Sequence, residues 1–315
     1  MHDIRRDCIV NAAIIQSLPS SSLDAARLAS RLGIPFREIA VHAFPDGEIR
    51  VTVGSAAPTT IIYASLDRPN DKLIALTFAA EALRRGGARR LILLAPYLCY
   101  MRQDTAFHEG EAISQKVIGA LIAGCVDRVI TVDARLHRTP DIRAVFPGIA
   151  SDNLSAMPAI SDALRKAGID PATVVVGPDS ESQPLVSDLA GRLGLSYVVA
   201  RKTRRDDRSV EIGFADPTHL AGRPALIVDD IVSSGGTMIA CARALTAAGA
   251  TTIDAVVTHA LFPEELCRDM IQSGIRSIRS THSVPHSTNA IALDNLFIDA
   301  LQDEMAFATF PETSP

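Results

Sequence analysis

One pattern occurs twice along this chain, and it leaves few folds open. Leu91-Ile-Leu-Leu94 leads into a polar loop, a helix-like run, Gly124 and a second apolar run over 129–132. Leu226-Ile-Val228 leads in the same way into a polar loop, a helix-like run, Gly249 and an apolar run over 255–258. Short apolar runs that alternate with helices imply parallel sheets covered on both faces. At 315 residues the length prior is about two domains. The expected fold class is therefore α/β, as two tandem doubly wound parallel-sheet domains over 1–155 and 156–315.

The order of elements follows from breakers and caps. A strand is expected over 7–15, a helix from the Ser20-Ser-Ser-Leu-Asp24 cap to Gly33, and one strand over 36–43. Phe44-Pro-Asp-Gly-Glu48 is a turn signal before an alternating strand over 49–53. Strands over 59–64, 90–95 and 128–132 alternate with helices over 70–85 and 112–123, and 134–149 reads as loop. The second half reads helix 158–167, strand 173–176, helix 184–193, strand 196–200, a basic run, and strand-like 209–213. The 225–238 stretch and its helix follow, then strand 254–259, helix 264–272, strand 275–280 and a last helix over 296–306.

Composition excludes several classes. A net charge of −5 argues against a general nucleic-acid binder, whose footprint is basic. No apolar run approaches the ~20 residues of a membrane span, and the first residues lack a signal-peptide core. Cys8, Cys99, Cys125, Cys241 and Cys267 are odd in number and scattered, as in a reduced, cytoplasmic protein without a cysteine zinc site.

The densest chemistry lies in ALIVDDIVSSGGTM, residues 225–238. A buried strand delivers Asp229 and Asp230, then Ser233, Ser234, Gly235, Gly236 and Thr237 open a helix. Helix starts offer free amides and partial positive charge to an anion, glycines allow close approach, and hydroxyls add donors. Two carboxylates beside them suit ribose hydroxyls, a divalent metal, or both. The stretch reads as a sugar-phosphate cradle rather than a plain βα turn, because open α/β sheets place ligands at strand ends.

Other candidates carry two readings each. Arg201, Lys202, Arg204, Arg205 and Arg208 can close over phosphates or form a solvated hairpin tip. Arg102 and Gln103, in a loop of functional length over 96–110, can hold a nucleotide or staple the loop. Phe44, Asp46 and Glu48 can grip a base or simply turn a hairpin; Asp179 can hold magnesium or cap a helix. His137 and Asp133 follow the strand over 128–132, and a lone His there is ordinarily structural. No zinc spacing occurs, so any metal is expected to be magnesium held through oxygens.

Taken in order, Phe44-Pro-Asp-Gly-Glu48, Tyr100-Met-Arg-Gln-Asp104, Gly110-Glu-Ala-Ile-Ser114, Gly177-Pro-Asp179, Lys202-Thr-Arg204 and the 228–237 stretch resemble the ribose-phosphate diphosphokinase family, the phosphoribosyl pyrophosphate synthetases. The last motif is shared with phosphoribosyltransferases; the ordered set across nearly the whole chain is highly specific. The resemblance implies two domains of the type I phosphoribosyltransferase kind and transfer of the ATP diphosphoryl group to ribose 5-phosphate. It implies ATP at Phe44, Asp46, Glu48, Arg102 and Gln103, near a subunit interface of a homo-oligomer. It implies Mg2+ at Asp179, Lys202 and Arg204 on a catalytic loop, ribose hydroxyls at Asp229 and Asp230, and the 5-phosphate at Ser233, Ser234, Gly235, Gly236 and Thr237.

The chain departs from the family pattern in places. Arg135 stands where members have a metal-contacting His, and a guanidinium cannot ligate magnesium. His137 would reach the same face of an extended segment, or the same position through a local gap. Gly177-Pro-Asp-Ser-Glu-Ser182 is closer to an archaeal-like subgroup than to the Asp-Gly-Gly type, and His282 replaces a frequent Asn or Asp. Two other readings remain at this point. A catalytically weak regulatory homologue draws on Arg135. A phosphoribosyltransferase has the full first half against it, since such an enzyme needs one domain.

Overall fold

The computed structural model describes residues 12–136, 138–206 and 209–309. Contacts divide the chain into two units: the part up to Leu154 together with the part from Asp294, and Ser155–Leu293.

The first unit runs β1 (Ala13–Ser17), α1 (Ser22–Leu32), β2 (Phe36–Glu38), β3 (Ala40–Ala43), β4 (Ile49–Thr52), β5 (Thr59–Tyr63), α2 (Pro69–Arg85), β6 (Arg90–Ala95), α3 (Ser114–Ala123), β7 (Arg128–Val132) and β8 (Ala150–Leu154). Every residue of β1 and β5 is buried, as expected for strands covered on both faces. Gly33 ends α1 in the left-handed region, where its amide reaches the Ala29 and Ser30 carbonyls. The sheet order is β2-β1-β5-β6-β7-β8, all parallel. Ile62, Leu91, Leu93 and Val129 meet Leu76 and Leu83 of α2 in its core.

The second unit runs α4 (Met157–Lys166), β9 (Val174–Gly177), α5 (Gln183–Leu193), β10 (Ser196–Val199), β11 (Arg201–Asp206), β12 (Ser209–Gly213), β13 (Ala225–Val232), α6 (Gly236–Ala247), β14 (Ile253–Ala260), α7 (Leu266–Gln272), β15 (Ile275–Thr281) and β16 (Asn289–Ile291). Its sheet, β10-β9-β13-β14-β15-β16, is also all parallel and repeats the order of the first. In each sheet the second strand lies outside the first, and the third starts the run on the other side. The chain reverses direction across the sheet between β1 and β5, and again between β9 and β13. Open α/β sheets bind ligands at such switch points.

Several elements differ from expectation. The single strand expected over 36–43 is two. β2 pairs with β1, and after Ile39, fully buried, β3 leaves the sheet to pair with β4. The edge strands β8 and β16 fall where no strand is expected, because ASDNL and NAI carry no apolar alternation. The basic run is itself a strand, antiparallel to β12. The last helix, α8 (Asp294–Thr309), was expected with the second half but packs on the first unit. Phe297 meets the Tyr63 ring edge-on at 6.1 Å, Arg27 Nε donates to Asp294 at 3.0 Å, and Arg90 and Arg128 converge on Glu304 at 2.6 and 3.1 Å. A nearly buried carboxylate with two guanidinium partners explains that attachment.

Candidate functional site

In the second unit the switch point falls between the ends of β9 and β13. β13 does not stop at Val228. It continues through the acidic pair, with Asp229 opposite Val257 and Ile231 opposite His259. The Asp230 amide donates to Asp229 Oδ1 at 3.0 Å, and the Ile231 amide to Asp230 Oδ1 at 2.7 Å. One oxygen of each carboxylate is thus tied to its own strand, which fixes the rotamers. Burial pushes the Asp229 carboxyl well above its usual range, and the charges of Asp230 and Asp179 push the same way.

Asp179 follows β9. Its Oδ1 accepts the Glu181 amide at 3.1 Å and caps the short turn Pro-free at its start, Ser180–Ser182. The cap is therefore real, and the carboxylate also bears on Asp229. A cavity of about 730 Å³ opens beside it, lined among others by Gln183, Tyr197, Arg201, Phe214 and His219.

Beyond β13, Ser233, Ser234 and Gly236 are exposed, Thr237 is half-buried and Gly235 is buried. Gly235 has φ 71°, and a Cβ there would stand 2.4 Å from Leu266 Cδ2 and 2.9 Å from Met270 Cε. The positive φ favours glycine there, and any Cβ would also push the Leu266 and Met270 side-chain ends aside. It is also the N-cap of α6 and has no side chain to cover the first amides. This turn keeps α6 open toward an anion. Lys202 and Arg204 lie on β11, opposite Ile212 and Val210.

In the first unit the candidates fall on two elements. Phe44, Asp46 and Glu48 form the β3–β4 turn, where the Phe44 amide donates to the Glu48 carbonyl at 2.8 Å and the Glu48 amide to Asp46 Oδ1 at 3.1 Å. The Phe44 ring, 38% exposed, meets His42 edge-on at 4.9 Å. Arg102, exposed, and Gln103 lie in the loop after β6. Ser114 Oγ donates to Gln103 Oε1 at 3.1 Å, and the Gln115 amide to the Gln103 carbonyl at 3.2 Å. The hairpin and the loop are held by separate sets of bonds.

Two residues that build this loop carry no role in the sequence reading. Asp104, its side chain 1% exposed, accepts the Arg138 amide at 2.9 Å and guanidinium at 3.0 Å. Burial alone would raise its carboxyl, but these Arg138 contacts hold it below the usual range. Gln115, 4% exposed, sits on the inner stripe of α3 with Gly119 and Ile122. A glutamine at helical spacing from apolar neighbours was the available signal. Asp133, at the end of β7, has φ 39°, a conformation rare outside glycine and found at functional sites. His137 lies outside the described residues.

Among the described residues no three His, Cys, Asp or Glu side chains are set to hold a metal ion alone. The donors at the second site are carboxylate oxygens of like charge, which suits a hard cation that draws its remaining ligands from phosphate and water. No helix among these residues is long and apolar enough to cross a membrane.

Comparison with known proteins agrees with the two-unit fold. The N-terminal domain of ribose phosphate pyrophosphokinase matches residues 13–125, and the phosphoribosyl transferase domain matches 156–281. The chain is 34% identical to ribose-phosphate pyrophosphokinase 2 of Archaeoglobus fulgidus over 89% of its length and 97% of that protein. It is 30% identical to the ribose-phosphate pyrophosphokinase of Methanopyrus kandleri over 88% and 94%. The crystal structure of phosphoribosylpyrophosphate synthetase from Mycobacterium smegmatis superimposes with a TM-score of 0.80 over 93% of this chain and 99% of that one, at 22% identity, and shows the shared fold.

Proposed function

The chain belongs to the ribose-phosphate pyrophosphokinase family, and we propose that its two units divide that family's substrates. The enzyme moves the diphosphoryl group of ATP to the C1 hydroxyl of ribose 5-phosphate, giving phosphoribosyl pyrophosphate and AMP. One observation carries the assignment of ribose 5-phosphate to the second unit: like carboxylates at a switch point stand directly before a helix start whose glycine N-cap has positive φ and leaves the first amides uncovered.

Asp229 and Asp230 accept hydrogen bonds from the ribose hydroxyls. Ser233, Ser234 and Thr237, with the amides of Gly235 and Gly236, hold the 5-phosphate. In the first unit Phe44 stacks on the base, Asp46 and Glu48 bond its edge, and Arg102 and Gln103 pair with the nucleotide. The C1 hydroxyl oxygen forms a bond to the β-phosphorus and gives its proton to solvent, as the bond from that phosphorus to the α,β-bridging oxygen breaks and the oxygen leaves with AMP. Such transfer needs in-line placement and neutralised charge more than a strong base, and Lys202 and Arg204 supply positive charge. No general base is assigned. Asp179, and His137 as the substitute for the family's His where Arg135 stands, would hold Mg2+, which neutralises phosphate charge when bound. The same family likeness supports a cytoplasmic homo-oligomer with the ATP site near a subunit interface.

The test is AMP formation by the purified protein with ATP, ribose 5-phosphate and magnesium. AMP that requires ribose 5-phosphate is expected; none at any magnesium level would refute the assignment.

A further inference from the structure

We propose that Gln115 and Asp104 are positioning residues for ATP, which set Arg102 and Gln103 in place without touching the nucleotide. The inference rests on the assignment of ATP to the first unit. Loops are held on a rigid scaffold when they carry binding groups, and here the scaffold reaches the loop through side chains. Gln115 is a buried amide on α3 whose backbone N–H and side-chain amide are all directed at this region. Its backbone amide donates to the Gln103 carbonyl at 3.2 Å, its Nε2 donates to the Met101 carbonyl at 3.4 Å, and its Oε1 accepts from Thr139 Oγ1 at 2.7 Å. The residues on both sides of Arg102 are thereby fixed from beneath. Met101 itself is buried at 2%, so the chain is pinned there by packing as well.

Asp104 fixes the other side. Its carboxylate takes both the amide and the guanidinium of Arg138, and that guanidinium lies over the Phe107 ring at 5.4 Å. Thr139 and Arg138 are neighbours, so Gln115 and Asp104 grip the same segment and tie it to the 101–115 loop. Arg102 is left as the exposed side chain between two anchored residues.

The test compares Gln115→Met, which keeps the volume but removes both side-chain bonds, with Gln115→Glu, which keeps only the acceptor for Thr139. Asp104→Asn removes the charge at the second anchor. For Gln115→Met the KM for ATP is expected to rise about tenfold, with the KM for ribose 5-phosphate unchanged within about twofold. Gln115→Glu and Asp104→Asn should fall between that variant and the parent. Hydrogen exchange at the residue-115 amide, which donates to the Gln103 carbonyl, should speed up in Gln115→Met, and at the Arg138 amide in Asp104→Asn. An unchanged KM for ATP in an active, folded Gln115→Met overturns the proposal, as does an equal rise in both KM values. Loss of thermal stability with unchanged KM values marks a purely structural role and also overturns it. A parent protein that forms no AMP refutes the functional assignment instead, and the exchange measurement still reports on the anchors.

Discussion

Two carboxylates, one in each unit, titrate in opposite directions. Asp104, after β6, is held below its usual range because the Arg138 amide and guanidinium outweigh its burial. Asp229, within β13, is driven up by burial and by the like charges of Asp230 and Asp179. The first brings its counter-charge with the fold. The second meets charges of its own sign and gains from hydroxyl donors or cations that a ligand supplies. Structural carboxylates are paired, and poised ones are left in conflict, so the contrast separates scaffold from site.

The strand ends differ in the same sense. At the switch point of the second unit, Asp179 and the acidic pair flank β9 and β13. At that of the first unit, the fold bonds to itself: the Ser65 amide donates to Ser21 Oγ at 3.0 Å, and Lys72 Nζ donates to the Ser65 carbonyl at 2.9 Å. The candidate ATP loop instead follows β6, farther along the sheet. One sheet order thus carries two candidate sites of different build, a short glycine turn that presents its backbone and a long loop held by anchored side chains.

Replacing the poised carboxylate should have the largest effect. Asp229→Asn is expected to lower kcat/KM for ribose 5-phosphate about a hundredfold, measured by AMP formation. The same substitution should leave thermal stability at neutral pH equal or higher, since it removes a repulsion. The pH dependence follows from the raised folded-state pKa. Between the unfolded value near 3.8 and the folded one, the native state binds more protons, so stability falls as pH rises. The Tm difference between Asp229→Asn and the parent should therefore grow over that window; a constant difference would break the contrast.

Asp104 should behave in the reverse way. Its depressed carboxyl contributes stability that is present above about 3.8 and lost as pH falls through the folded value. Asp104→Asn is expected to lower Tm by a few degrees, on the order of 2–4 °C, at neutral pH and by less in acid. Unchanged Tm at neutral pH would mean that the Arg138 contacts add nothing. The smallest effect is expected from Phe107→Leu, which removes the ring under Arg138. A loss of about 0.5 kcal/mol, read by denaturant titration, would show how much of the anchor is cation–π contact.

The alternation of strands and helices was legible because apolar runs and glycine stops are local signals. The acidic pair and glycine turn were legible for the same reason. The crowding at Gly235 was not, since Leu266 and Met270 come from a helix two elements on. Nor was the allegiance of α8, whose Glu304 pairs with residues 214 and 176 positions away. For Asp179 the capping reading holds: it caps a turn, and its charge also acts on Asp229. Helical spacing puts Gln115 on the inner face of α3, but the contacts of Gln115 and Asp104 with a second loop lie beyond what periodicity reveals.

The division of substrates is tested most directly by crossed binding measurements on two variants, Gly235→Ala and Arg102→Ala. Gly235→Ala should weaken ribose 5-phosphate about a hundredfold, because the turn must shift, and leave ATP unchanged. Arg102→Ala should weaken ATP about tenfold and leave ribose 5-phosphate unchanged. Loss of the same ligand in both variants would contradict the account.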